Sequence, residues 1–109
     1  MQAVIYARAI DPVELDNAIA VCEQWAAAHD WRIAKVVRET CDSELPLERT
    51  GIRAVLEHLD ISQGMVALAA SRTQVADDPS AFHEVCRLAE RTGGFWHVLG
   101  DSKETPDAP

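Results

Sequence analysis

From Met65 to Ser71 the chain reads MVALAAS, and no other stretch restricts the fold as much. A strand with one face in water alternates apolar and polar residues, whereas a run apolar on both faces must be covered on both. Such strands sit at the centre of parallel sheets, with helices packed above and below. The flanking segments have the periodicity such helices need, with Ile52, Val55, Leu56 and Leu59 before the run and Phe82, Val85, Cys86, Leu88 and Ala89 after it. Recurrence at three- and four-residue spacing gives each segment one buried stripe.

The opening, Ala3 to Asp11 (AVIYARAID), reads as a first strand running into Arg8. Asp11 and Pro12 then supply an N-cap and a first-turn proline for a helix ending near His29-Asp30, with Leu15, Ala18, Ile19, Cys22, Trp25 and Ala26 as its stripe. Trp31 to Glu39 is a second strand, and its interspersed Arg32, Lys35 and Arg38 place it towards an edge. Thr40 to Glu48 is a polar connection containing Pro46, and a second helix runs from Leu47 or Glu48 to about Leu59. After the apolar run, Asp77-Asp78-Pro79-Ser80 opens a third helix over Ala81 to Arg91, Gly93-Gly94 ends it, and Phe95 to Leu99 is a fourth strand.

The alternation predicts an α/β fold, a mostly parallel sheet of about four strands with helices on both faces. Residues 1–100 form one domain in this reading, and 101–109 (DSKETPDAP) a disordered acidic tail. Open sheets of this kind hold ligands at the carboxyl ends of their strands, where Arg8, Ser71 and Arg72 stand.

Ten basic against eighteen acidic residues give a formal charge of −8, which opposes the phosphate charge of a duplex. Weak or no direct DNA binding is expected. Cys22, Cys41 and Cys86 contain no C-x-x-C pair and read as reduced thiols, with neither a disulfide framework nor a zinc site. With no apolar run long enough to span a membrane and no leader-like N-terminus, the expectation is a cytoplasmic protein without membrane contact.

Three short motifs carry a resemblance. Tyr6-Ala7-Arg8-Ala9-Ile10 resembles the Y-x-R-x-S/T ending of the first strand in the serine recombinase (resolvase/invertase) catalytic domain. Arg49-Thr50-Gly51-Ile52 is similar to that family's R-x-G-L at the start of the second helix, and Ser71-Arg72-Thr73-Gln74-Val75 to its D-R-L-x-R after the third strand. The resemblance spans about Ala3 to Leu99 and implies a resolvase-like fold and, for the family, DNA strand exchange through a nucleophilic serine with arginines neutralising the phosphate. Here Ile10 stands at the serine position, Ser71 at the aspartate, Val75 at the second arginine and Ala18 at a helical glutamine. In the family a long subunit-pairing helix and a DNA-binding domain follow; this sequence stops soon after the fourth strand, and neither is expected.

An isoleucine cannot attack phosphorus, so the implied role is binding without catalysis. The partner would be a recombinase subunit, a second copy, or an anion held by Arg8, Arg49 and Arg72. The arginines' counter-charge would then be that anion or an acidic residue of the connection, such as Asp42, Glu44 or Glu48. Two alternatives remain open at this stage: an active strand-transfer enzyme or nuclease with a substitute nucleophile, and a flavodoxin-like domain binding a phosphate-bearing small molecule, although no glycine-rich loop follows the first strand. Neither a cofactor nor a metal is expected. His83 and Cys86 read as a surface histidine beside a buried cysteine, Ser71 as a strand-end serine with a local hydrogen bond, and Trp25, Trp31 and Trp96 as core or half-core packing.

Overall fold

The computed structural model describes residues 1–40, 49–62 and 64–100. In chain order they form β1 (Gln2–Arg8), α1 (Pro12–Ala28), β2 (Arg32–Glu39), α2 (Thr50–Ile61), β3 (Met65–Ala69), α3 (Arg72–Val75), α4 (Pro79–Glu90) and β4 (Phe95–Val98). The strands make one parallel sheet in the order β2-β1-β3-β4. This is the expected α/β architecture, with β1 beside β3 in the middle and β2 at an edge. All five residues of β3 are buried, as a run apolar on both faces requires.

Strand alternation divides the core in two. Val4, Tyr6, Met65, Ala67, Ala69 and Trp96 pack with Ile52, Val55 and Leu59 of α2 and Val85 and Ala89 of α4. On the other face Ala3, Ile5, Ala7 and Leu68 pack with Leu15, Ala18, Ile19, Cys22 and Ala26 of α1. In β2 the register shifts between Ala3↔Ile33 and Val4↔Lys35, inserting one residue. That bulge turns both Ile33 and Val36 towards α1, while Val37 joins Tyr6 on the opposite face.

The caps explain most boundaries. Asp11 accepts a hydrogen bond from the Val13 amide (3.3 Å) and Asp78 from the Ala81 amide (3.1 Å), and proline follows each cap. Two expectations need correction. The second helix starts at Thr50, because Arg49 is extended (φ −84°, ψ 132°) with its side chain drawn inward. The segment between β3 and the Asp77-Asp78 cap, for which no helix is expected from the sequence, contains the single turn α3. The connection from Cys41 to Glu48 and the tail from Asp101 onward lie outside the described residues. Among the described residues no helix is long and apolar enough to cross a membrane.

Candidate functional site

Arg8 ends β1, Arg49 precedes α2 and Arg72 opens α3, so all three arginines stand at the carboxyl edge of the sheet. The structure directs them to one stretch of main chain. Arg8 Nη2 donates to the Thr73 carbonyl (3.0 Å) and its Nε to the Gln74 carbonyl (3.2 Å). Arg49 Nη1 donates to the carbonyls of Val75 (2.7 Å) and Gln74 (3.2 Å). Arg72 Nη1 reaches the carbonyls of Ala76 (3.3 Å) and Asp77 (3.0 Å). Every carbonyl from Thr73 to Asp77 therefore accepts from a guanidinium group.

The cause lies in the shortness of α3. The last carbonyls of a helix have no partner within it, and a four-residue helix consists almost wholly of such ends. Their partial negative charge suits a cation with several fixed donors. Arg8 and Arg49 meet at the Gln74 carbonyl, while Arg72 turns to the far end of its own turn. The Gln74 side chain adds a clamp, its Oε1 accepting from the Arg8 amide (3.1 Å) where β1 leaves the sheet.

Beneath this edge lies a buried polar network. Arg49 is 1% exposed and Glu39 6%. The Tyr6 hydroxyl accepts from Arg49 Nη1 (3.5 Å) and donates to Glu39 Oε1 (3.2 Å), which also accepts from the Gly51 amide (2.8 Å). Burial raises the Tyr6 hydroxyl well above the ordinary tyrosine range, with Arg49 opposing the shift and Glu39 adding to it. Tyr6 is held here as a neutral bridge. A Cβ at Gly51 would run into the Glu39 carboxylate and crowd the Tyr6 ring, so this glycine permits a close approach.

The remaining positions of interest divide between solvent and core. Ile10, just beyond β1, is 67% exposed, whereas Val75 is fully buried in the α2/α4 core and Ala18 is buried on the sheet-facing side of α1. Ser71 Oγ lies 3.1 Å from Thr73 Oγ1, a local hydrogen bond of the expected kind. His83 is exposed and Cys86 half-buried, and among the described residues no group of three or more metal-ligating side chains forms. Burial, with Glu23 adding, pushes the Cys22 thiol up to about 12, which leaves no thiolate for nucleophilic chemistry near neutral pH. Asp42, Glu44 and Glu48 lie outside the described residues.

Sequence reasoning missed Glu39 and Gln74. Glu39 had a signal, a carboxylate ending the strand beside Arg8, its partner in register. Gln74 had none.

By sequence the chain matches no family model and no curated protein. By structure it is similar to the C-terminal catalytic domain of ISC1926 TnpA, an IS607-like serine recombinase, at TM-score 0.78 and 21% identity, covering 99% of this chain and 77% of that one. The N-terminal catalytic domain of TP901-1 integrase aligns at TM-score 0.83 and 14% identity over 94% of this chain and 79% of that one. A resolvase family site-specific recombinase from Streptococcus pneumoniae aligns at TM-score 0.78 and 12% identity, over 93% and 73%. The chain thus has the fold of serine recombinase catalytic domains, the architecture that its first-strand and arginine motifs implied.

Proposed function

We propose that this chain is a catalytically silent serine recombinase-like domain that acts in the cytoplasm by binding a protein, in the setting of DNA recombination or a mobile element. The observation that carries the reading is Ile10, an exposed side chain without a nucleophilic atom where the resemblance requires serine. The arginine bonding supports it, because guanidinium groups engaged by the carbonyls of Thr73 to Asp77 are withdrawn from an incoming phosphate. The charge of −8 argues that DNA is reached through the partner, which would be a recombinase subunit or a second copy.

The test is a denaturing gel for covalent protein–DNA adducts on supercoiled plasmids carrying recombination sites, with a competent serine recombinase as positive control. Neither the wild type nor Ile10→Ser should form an adduct, since Ser71 and Val75 still replace the other two polar positions. Duplex affinity should be weaker than about 1 μM at about 150 mM salt. An adduct with the wild-type protein would overturn the reading.

A further inference from the structure

The sheet ends on one side at β2, and among the described residues no strand pairs with its outer edge. Such an edge is a row of unpaired amides and carbonyls, a template for another chain. In a parallel ladder every second residue turns its main-chain groups to the same neighbour. The Ala9 amide bonds the Glu39 carbonyl (3.1 Å), which puts Lys35, Val37 and Glu39 on the β1 side and points the amides and carbonyls of Val36 and Arg38 outward. The inserted residue falls before Lys35, so Lys35 to Glu39 keeps unbroken register with Val4 to Arg8, a run of ordinary strand length.

This edge is also where an acidic chain keeps positive charge. Of its ten lysines and arginines three stand in β2, Arg32, Lys35 and Arg38, all exposed, while the one carboxylate of β2, Glu39, is buried against Tyr6 and Gly51. Register sets the cations on both faces: Arg32 and Lys35 stand beside Gln2 and Val4 towards α2, and Arg38 beside Ala7 towards α1, where it pairs with Asp16 (2.8 Å). Opposite charges on adjacent strands attract, and like charges directly opposite repel. Two β2 edges paired about a two-fold axis at Lys35 would set Arg32 against Arg38 and Lys35 against its own copy. The cations that repel a second copy suit a strand with carboxylates on both of its faces. At about 150 mM salt, charges more than about 8 Å away are largely screened, so an incoming strand meets these cations rather than the net charge of −8.

We propose that the outer edge of β2 takes up an extended acidic segment of another protein as a fifth strand. The main-chain groups of Val36 and Arg38 supply the pairing, and Arg32, Lys35 and Arg38 select the charge. The inference rests on the reading of this chain as a binding domain and names the chemistry of its partner.

The experiment uses three fluorescein-labelled peptides of about eight residues, the length of β2: Glu alternating with Val and Thr, the same with Lys for Glu, and the Glu peptide with proline at alternate positions, which keeps the charge but cannot pair. By anisotropy at about 150 mM salt the Glu peptide should bind saturably and the other two at least tenfold more weakly. Arg32→Glu with Lys35→Glu, at exposed positions that keep the fold by circular dichroism, should reverse the preference to the Lys peptide. Arg87→Glu with Arg91→Glu, exposed on and just after α4, should leave it unchanged. Hydrogen exchange followed by NMR should slow at least tenfold at the Val36 and Arg38 amides when the Glu peptide saturates. No saturable binding, equal binding by the proline peptide, indifference to the charge reversal, or protection elsewhere than β2 overturns the proposal. So does protection of these two amides that grows with protein concentration without peptide, which would make a second copy the occupant. A DNA adduct would remove the reading of a silent domain without touching the peptide result, so the two can fail separately.

Discussion

Trp96 and Phe95 are neighbours in β4, yet one is 8% and the other 41% exposed, because they point to faces of the sheet that are closed differently. Under α2 and α4 the closure is tighter, and among the described residues that face holds the buried polar pair Arg49 and Glu39, joined through the Tyr6 hydroxyl. Under α1 the packing is apolar over β1 and turns aromatic and half-open towards β4. A buried charge survives only where hydrogen bonds surround it. The more closed face therefore shelters the polar network, and the α1 face leaves Phe95 partly in water.

The largest expected effect is on the closed face. Arg49→Met would take donors from the Val75 and Gln74 carbonyls and leave Glu39 buried without its cationic neighbour, at a cost of about 3–5 kcal/mol. Urea denaturation measures it. A loss below about 1 kcal/mol, the worth of one ordinary hydrogen bond, would mean that the network does not hold this face together.

The comparison is sharpest within β4 itself. Trp96→Ala should cost about 3 kcal/mol, as large-to-small core changes do, and lose the edge-on contact with Tyr6 at 5.9 Å. Phe95→Ala should cost less than about 1 kcal/mol, in the range of surface substitutions. Equal losses would show that the α1 face is as closed as the other.

Gly51→Ala comes next, at about 1–3 kcal/mol, because its new methyl must displace the Glu39 carboxylate from a packed site. Gly51→Ala combined with Glu39→Ala should recover part of the loss if that collision is the cause. Two independent, additive losses would show that it is not.

How far the sequence led depends on which atoms make each contact. Side-chain periodicity marks both faces of β3 and the stripes of α1, α2 and α4, so the layer order followed from Met65–Ser71 and the helices around it. The order of Arg8, Arg49 and Arg72 along the chain likewise placed them at one edge. Their bonding was not legible, because their acceptors are the main-chain carbonyls of Thr73 to Asp77, which every residue type carries alike. The four residues of α3 are too few to show a period, and Glu39 looked like the solvated end of an edge strand until Tyr6 and Gly51 were seen against it. Three helical stripes for two faces implied unequal cover, but which face received two could not be read from the stripes.

The smallest expected effect belongs to the half-open face and depends on pH. Trp25 stacks on His29 at 3.9 Å and touches His97 at 4.7 Å, so two imidazoles share one indole. Burial, and then the His29 charge, lowers the His97 pKa below its ordinary value. The unfolded chain, where histidine titrates near 6.5, therefore binds a proton more readily than the folded one. The stability tied to a neutral His97 is complete above about pH 6.5 and is lost as pH falls through that value towards the folded pKa. Melting temperatures from pH 8 to pH 5 should decline more for the wild type than for His97→Gln, and His29→Gln should reduce the decline by removing the neighbouring charge. Equal slopes in all three proteins would show that the ring is already open to water.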